Sequence, residues 1–403
     1  MPSTRRHFLT LAGVAVAGAV APTGDAGETA AASDVDWPMA RYDPAGTGAH
    51  PTASGPKDDV EVTWTYTSSS SFGRPVPPVH LDGTLYATHD GLVALDSDTG
   101  ATQFERAGQY RSTPARVRAS IYTTDTLAVT GSAGVVGLNA GGGIALPGVD
   151  AAIGARRWTG PRAAGGGFFG QPMAVDPVTD DGTVYAAPPG ADSIVALDAN
   201  DGAVDWRQTP REEDGYGVEI KRPAVTDGRV FVTNWPYQAT AYDAATGTQD
   251  WQRELDEQMV LAPVATDDGL VVQTRDAVYL LDMASGATLW KQSLDANVTE
   301  GAPAVADGRV FLSDSQDAMH ALDLATGESL WTTPFNGEST PVVADGVVYA
   351  VESRHTLVAI DAGSGAQRFT FEPDDYPIAT PIIGDGRLFV TTAHGVLALE
   401  GAS

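Results

Sequence analysis

The sequence predicts an all-β fold, an eight-bladed β-propeller made of four-stranded blades. Three observations support this prediction. One segment pattern recurs through the chain, its copies are spaced like the blades of a propeller, and the segments between the turns are short and β-branched, as in residues 228–232 and 347–351. No stretch has the period of a long amphipathic helix. A ring of four-stranded units therefore fits the chain best.

Each copy of the pattern opens with an Ala/Thr-Pro-x-Val segment and continues through an Asp-Gly turn. The leading prolines are Pro78, Pro114, Pro172, Pro223, Pro263, Pro303, Pro341 and Pro381. The last five lie 40, 40, 38 and 40 residues apart, close to the ~40–45 residues of a propeller blade. The spacing therefore predicts one blade for each proline.

An acidic or amide residue closes the third strand of each copy, and in all but the last a glycine follows four residues later. The closing residues are Asp96, Asn139, Asp198, Asp243, Asp282, Asp323, Asp361 and Glu400. Aspartate accepts hydrogen bonds from its own turn, and glycine supplies positive φ. We interpret this spacing as the turn into the fourth strand.

A large aromatic residue follows that turn on the fourth strand. These residues are Trp64, Phe104, Trp158, Trp206, Trp251, Trp290, Trp331 and Phe369, with Trp158 displaced by an insertion. We predict that they pack between blades. The last repeat stops near Glu400 without a fourth strand, whereas residues 60–64 form a fourth strand without the first three. Pairing the two would close the ring and remove both sheet edges.

The repeated motifs resemble those of the pyrroloquinoline-quinone (PQQ) repeat propellers over about residues 60–400. That family includes quinoprotein alcohol dehydrogenases and the lipoprotein scaffold of outer-membrane protein assembly. The resemblance implies that the terminal aromatics dock neighbouring blades. The segment Trp37-Pro38-Met39 with Asp43 and Thr47-Gly48 is similar to the lead-in of exported haloarchaeal members.

Composition agrees with a salt-loving origin. The chain has 52 Asp and Glu against 24 Lys and Arg, a net charge of −28. Its three lysines are Lys57, Lys221 and Lys291. An acidic surface with few lysines stays hydrated when concentrated salt screens charge, although an acidic protein from a low-salt source is the alternative. Nucleic-acid binding is not expected, because phosphate neutralisation needs a basic surface.

The sequence predicts a twin-arginine signal peptide and a linker in the first 36 residues, and it predicts the propeller in residues 37–403. Residues 4–9 carry the paired arginines, and residues 9–20 form an apolar run too short for a stable membrane span. We expect export to the cell surface or beyond. Two Gly-rich insertions, at about residues 131–157 and 160–170, interrupt the period and predict mobile loops.

A ligand of a propeller usually lies at one end of the central channel, beside the residues that precede the innermost strands. Here this candidate rim consists of Arg74, Arg111, Phe169, Glu219, Lys221, Arg222, Met259, Glu300, Glu338 and Tyr376. Its arginines could bind a small anion or a peptide. The alternative is a set of solvated loop residues without a ligand.

Metal and cofactor chemistry is less well supported by the sequence. Glu300 and Glu338 could hold a cation, since Ca²⁺ prefers clustered oxygen ligands. His355 and His394 occupy equivalent repeat positions, with His89 one residue away, but loop histidines are favoured over a metal site. No cysteine is present for the disulfide that commonly accompanies the quinone in quinoprotein dehydrogenases.

Two functions follow from this reading. We favour an exported, non-catalytic propeller that binds a protein, peptide or surface polymer and needs no cofactor. The alternative is a quinoprotein oxidoreductase that uses PQQ and calcium. The fold alone cannot choose between them.

Overall fold

The structure is a computed structural model that describes residues 35–69, 71–145, 152–162, 174–210, 219–235, 237–256, 260–384 and 386–402. Residues Asp34–Ser403 form one compact unit. All regular elements in the described residues are β-strands. These residues contain no helix of the length and apolarity that a membrane span requires.

Eight units of four antiparallel strands form the eight blades of a β-propeller, as the sequence predicts, and one of these sheets gains a fifth, parallel strand. Two strands precede the first complete blade, β1 Ala49–His50 and β2 Val60–Thr67. Blade 1 contains β3 Val79–Leu81, β4 Thr84–His89, β5 Gly91–Asp96 and β6 Thr102–Ala107. Blade 2 contains β7 Ala115–Val117, β8 Thr126–Gly131, β9 Gly134–Asn139 and, after the hairpin β10 Ile144–Ala145 and β11 Ala152–Ile153, β12 Arg156–Thr159.

The next four blades repeat the same order of strands. Blade 3 contains β13 Val178–Asp180, β14 Thr183–Ala186, β15 Ile194–Asp198 and β16 Val204–Gln208. Blade 4 contains β17 Ala224–Thr226, β18 Arg229–Asn234, β19 Gln238–Asp243 and β20 Gln249–Glu254. Blade 5 contains β21 Val264–Thr266, β22 Gly269–Gln273, β23 Ala277–Leu281 and β24 Thr288–Ser293. Blade 6 contains β25 Ala304–Ala306, β26 Arg309–Ser313, β27 Ala318–Asp323 and β28 Ser329–Pro334.

The last two blades use strands from both ends of the propeller sequence. Blade 7 contains β29 Val342–Ala344, β30 Val347–Glu352, β31 Thr356–Asp361 and β32 Gln367–Phe371, with β1 added in parallel to β29. Blade 8 contains β33 Ile382–Gly384, β34 Arg387–Thr391 and β35 Gly395–Gly401. Its outer strand is β2, which pairs antiparallel with β35, so that Trp64 lies opposite Ala398. The predicted ring closure is confirmed.

The core lies between the blades. Every residue of β22 and β23 is buried, whereas the outer strand β24 alternates between half-buried and exposed residues. Central strands are covered on both faces by neighbouring blades, and they therefore consist largely of uninterrupted apolar residues. Outer strands face solvent along one side, and their pattern has the period of two that a half-buried strand requires.

The tryptophans of the outer strands bridge to the next blade. The indole Nε1 atoms of six of them donate hydrogen bonds of 2.9–3.1 Å to a carbonyl of the following blade, in the pairs Trp64–Ser97, Trp158–Ala199, Trp206–Ala244, Trp251–Met283, Trp290–Leu324 and Trp331–Ala362. In Trp206 and Trp251 the side chains are buried, and in Trp290 and Trp331 they are half-buried. Buried indoles usually find such a partner.

The repeat pattern misplaces the start of blade 3. The innermost strand β13 begins at Val178, directly after Pro177, so the predicted leading proline, Pro172, is wrong. In five of the other seven copies the leading proline lies five residues before the glycine of the Asp-Gly turn, and Pro177 has this spacing from Gly182. The first predicted insertion is also smaller than expected, because residues 134–139 form β9 and the additional element is the hairpin β10–β11.

Candidate binding site at the channel mouth

One end of the central channel is filled by residues 37–50, which we call the axial segment. Its main chain forms hydrogen bonds with the middle residue of the innermost strand in six blades. The pairs are Trp37–His80, Pro38–Arg116, Pro44–Val225, Ala45–Ala265, Thr47–Val305 and Gly48–Val343. These hydrogen bonds are 2.8–3.1 Å long. The axial segment therefore runs around the axis and forms a floor across the channel.

Arg41 anchors the axial segment. Its guanidinium donates to the carbonyl oxygens of Pro341 at 2.8 Å, Gly46 at 3.2 Å and Pro303. The side chain is buried, and burial together with the nearby charge of Arg222 lowers the pKa of Arg41 to about 9. Gly48 has a φ of +66°, and a Cβ there would lie 2.6 Å from the guanidinium. The glycine therefore provides the space that Arg41 occupies.

Arg222, a predicted ligand donor, is buried below the rim. Its Nη2 donates to the carbonyls of Ala40 at 2.9 Å and Asp43 at 2.8 Å, and its Nη1 donates to Pro223 at 3.1 Å. Burial lowers its pKa to about 10 against the opposing influence of Asp43 and Asp176. Arg222 thus joins the axial segment to blade 4, and main-chain carbonyls accept the hydrogen bonds of its Nη1 and Nη2.

The open end of the channel, which we call the mouth, is bounded by Arg74, Lys221, Glu300, Glu338 and Arg354. These residues line two adjoining cavities of about 540 and 790 Å³, and Arg74 and Glu300 line both. Arg41 also lines both cavities, and Trp37 and Ala40 line the smaller one. The site is a cup with charged residues at its opening and the axial segment beneath.

Glu300 is bound by two arginines from different blades. Arg74 precedes blade 1 and donates to Glu300 Oε2 at 2.5 Å, and Arg354 of blade 7 donates to the same oxygen at 3.0 Å. Burial would raise the pKa of Glu300, but these ion pairs and the charge of Lys221 outweigh burial and lower it. Glu300 precedes blade 6. The ionic bridge therefore connects loops of blades 1, 6 and 7 across the mouth.

The second predicted carboxylate, Glu338, links two neighbouring loops. Its Oε1 accepts hydrogen bonds from the Thr299 amide at 2.6 Å, the Thr299 hydroxyl at 2.8 Å and the Ser315 hydroxyl at 3.2 Å. Lys221 pairs with Glu219 at 2.6 Å. The carboxylates of the mouth are thus engaged by donors of this chain.

The remaining predicted rim residues have different positions. Arg111 is exposed but does not line either cavity of the mouth. Tyr376 is 58% exposed, and its ring contacts that of His355 edge-on with centroids 4.6 Å apart. Phe169 and Met259 lie outside the described residues.

The sequence reasoning missed Asp176, Arg354 and Arg41. Asp176 lines both cavities and accepts a hydrogen bond from the Thr113 amide at 2.8 Å, and its enclosure by protein raises its pKa. Assigning Pro177 as the leading proline would have found Asp176, which directly precedes it. Arg354 lies in the loop between the second and third strands of blade 7, the other position that commonly lines a propeller mouth.

The histidines with equivalent repeat positions make separate contacts. His394 Nδ1 lies 2.8 Å from Asp375, and the pKa of Asp375 is lowered because hydrogen bonds from His394 and Thr392 outweigh its partial burial. The ring of His89 instead lies 4.8 Å from that of Phe72. Within the described ranges, no three His, Cys, Asp or Glu side chains are grouped so that they could hold a metal ion.

Residues 144–280 and 274–402 match the family described as outer membrane protein assembly factor BamB. A 136-residue segment is 30% identical to the serine/threonine-protein kinase AfsK of Streptomyces griseus. That segment is 33% of this chain and spans 16% of the kinase.

Solved structures share the fold at low sequence identity. BamB of Moraxella catarrhalis aligns with a TM-score of 0.62 and 14% identity, covering 85% of this chain and 100% of that protein. The quinohemoprotein alcohol dehydrogenase of Comamonas testosteroni aligns with a TM-score of 0.69 and 14% identity, covering 91% of this chain and 81% of the dehydrogenase. A europium-containing methanol dehydrogenase aligns with a TM-score of 0.68 and 12% identity, covering 91% of this chain and 98% of that enzyme. At such identities the likeness establishes the fold alone.

Proposed function

The chain belongs to the outer membrane protein assembly factor BamB family, and we propose that it is a non-catalytic binding protein. In this proposal the mouth is presented to a protein, peptide or surface polymer, and the blades serve as a rigid support. The family name refers to assembly of other proteins, which favours a protein or peptide over a polymer.

The observation that carries the proposal is the ionic bridge of Arg74, Glu300 and Arg354. A general base or nucleophile must be within reach of a substrate atom and tuned for proton transfer. Glu300 instead accepts two cationic donors on one oxygen, and its lowered pKa makes it a weaker base. Exposed charges that pair with each other and exchange easily suit a surface that binds a partner.

The alternative is a PQQ- and calcium-dependent oxidoreductase, and the residues described at the mouth do not fit that pair of cofactors. Calcium takes about 6–8 oxygen ligands, several of them commonly carboxylates. Glu300 Oε2 is bound by Arg74 and Arg354, and Glu338 Oε1 is bound by three donors of Thr299 and Ser315 in two loops. This donor set supports a site without a resident cation.

We further propose that the protein is exported by the twin-arginine route and acts at the cell surface of a salt-loving cell. The paired arginines at residues 5 and 6 and the net charge of −28 support this location. The family description, which names the outer membrane, supports a place in the cell envelope.

Site-specific photo-crosslinking in the producing cells tests the proposed function. A photoreactive phenylalanine analogue is incorporated in place of Tyr376, next to the cavity-lining Pro377 and Ile378. As a matched control, it is incorporated in place of Leu330 on an outer strand, where the side chain is 47% exposed. We expect a discrete crosslinked partner from position 376 and none from position 330. Equal crosslinking at both positions, or crosslinking only at position 330, would overturn the assignment of the mouth.

A further inference from the structure

The mouth is balanced in charge on a strongly acidic protein, because the described lining of its two cavities holds five Arg and Lys side chains beside five Asp and Glu side chains. The chain carries 52 acidic and 24 basic side chains, yet Arg74, Arg354 and Lys221 all act on the single carboxylate of Glu300. Lys221 is one of three lysines in the sequence. Most of such a surface repels anions, whereas a local group of cations can attract and orient an acidic ligand.

Glu300 occupies the position that an external carboxylate would take. Both arginines donate to its Oε2, and the side chains of Arg74 and Arg354 are 52% and 55% exposed. Ion pairs at this exposure contribute little and exchange partners readily. An incoming carboxylate can therefore replace Glu300 at the arginines without leaving a buried charge unpaired.

An exposed aromatic side chain, Tyr376, directly precedes Pro377 and Ile378, which line the smaller cavity of the mouth. Tyr376 packs on His355, which follows Arg354 in sequence, and the Ile378 amide donates to the Arg354 carbonyl at 2.9 Å. The adjoining cavity of about 540 Å³ has apolar lining from Pro75, Pro77 and Ile378. Exposed tyrosines and arginines are common energetic centres of protein interfaces. The apolar lining suits amino-acid side chains better than a polyol.

We propose that the mouth binds an acidic peptide segment whose carboxylate takes the place of Glu300 between Arg74 and Arg354. A neighbouring apolar side chain of the peptide packs on Tyr376. This inference rests on the proposed function and specifies the chemistry of the partner. Glu300 acts in it as an internal competitor that an acidic ligand displaces.

The first test is a selection of short random peptides displayed on phage, at an ionic strength where circular dichroism shows the protein folded. We expect enrichment of Asp and Glu in the bound peptides. One enriched peptide and its Asn/Gln counterpart are then synthesised and titrated by fluorescence anisotropy, and the counterpart should bind at least about fivefold more weakly. Enrichment of basic or neutral sequences, or no enrichment, would overturn the acidic-peptide inference.

The second test compares how tightly variants of the mouth bind the acidic peptide, since the variants are expected to change the affinity in opposite directions. Arg74→Gln and Arg354→Gln should each weaken binding of the acidic peptide about two- to fivefold, as expected for exposed ion pairs. Glu300→Gln should strengthen it about two- to fivefold, because the internal competitor is lost. The matched control is Arg229→Gln in blade 4, which removes an arginine paired with Asp250 at 2.9 Å outside the mouth, and it should leave binding unchanged.

The outcomes separate this inference from the proposed function. Weaker binding in Glu300→Gln would overturn the exchange of carboxylates. If neutral peptides bind and both Tyr376→Ala and Arg354→Gln weaken that binding, the acidic chemistry would be overturned but the mouth would be retained as the binding site. An acidic peptide whose binding is unchanged by all the mouth variants would overturn both.

Discussion

Trp251 joins blade 4 to blade 5 through a hydrogen bond of 2.9 Å from its indole Nε1 to the carbonyl oxygen of Met283. The side chain is 8% exposed and contacts Gly286 of the turn that follows Met283. This arrangement recurs around the ring, and it explains why a tryptophan and a turn glycine appear together in the repeat. The stability of the ring should therefore depend on these contacts.

Removal of the Trp251 indole should destabilise the fold. Trp251→Ala is expected to cost about 3–5 kcal/mol, because the substitution loses buried apolar area and leaves a cavity between two blades. Chemical denaturation provides the measurement. Leu289→Ala on an outer strand, where the side chain is 54% exposed, is the control and should change stability by less than about 0.5 kcal/mol. Similar costs for both variants would contradict a docking role.

Two glycines with the same backbone conformation allow the cost of backbone strain to be measured separately from the cost of a steric overlap with an indole. Gly286 and Gly308 have φ of +70° and +69°, but a Cβ on Gly286 would lie 2.7 Å from Trp251, whereas a Cβ on Gly308 would have no atom within 4 Å. Gly308→Ala should cost about 1–2 kcal/mol from the left-handed conformation. Gly286→Ala should cost about 1–3 kcal/mol more because of overpacking. Equal losses in paired denaturation curves would show that the indole moves aside freely.

The turn aspartates should make the fold sensitive to acid. Hydrogen bonds from Ser364 and the ion pair with Arg368 lower the pKa of Asp361 to about 2. An acid with a lowered pKa binds fewer protons when folded, so its stabilisation is present above the unfolded pKa and lost as the pH falls through the folded value. Melting temperatures should therefore fall between about pH 4 and pH 2. Ser364→Ala should reduce the contribution of Asp361, and an identical acid profile in that variant would contradict this cause.

Dilution of salt should destabilise the protein. With a net charge of −28, the carboxylates repel one another over a Debye length that grows from ~10 Å at 0.1 M salt to ~30 Å at 0.01 M. Thermal melts in a salt series should show the melting temperature decreasing on dilution. If it stays constant or increases, the acidic surface is not an adaptation to salt.

The repeat pattern predicted the ring well because each of its signals is local. The positions of Asp282, Gly286 and Trp290 follow from one turn whose hydrogen bonds lie within a few residues. Ring closure follows from an incomplete last repeat. A missing outer strand at one end and an unpaired strand at the other leave few ways to close the sheet. These features depend on sequence spacing, which can be read directly.

The site was less predictable because its contacts are far apart in sequence. Arg74 and Glu300 pair over 226 positions, and neither residue indicates its partner before the ring is closed. Arg222 precedes a leading proline in the same way as exposed rim residues do, yet the axial segment covers it and supplies carbonyl partners. Arg41 carries no repeat signal at all, although the glycines at positions 46 and 48 indicate a tight path for the main chain.

Titration with PQQ and Ca²⁺, followed by absorbance, tests most directly whether the mouth binds partners or holds a redox cofactor. The measurement compares the full-length protein with Glu300→Ala and Glu338→Ala at a salt concentration where all three are folded. We predict no saturable change in the quinone spectrum for any of the three proteins. Stoichiometric binding of PQQ by the wild-type protein that is lost in either variant would contradict this prediction and establish the quinoprotein alternative.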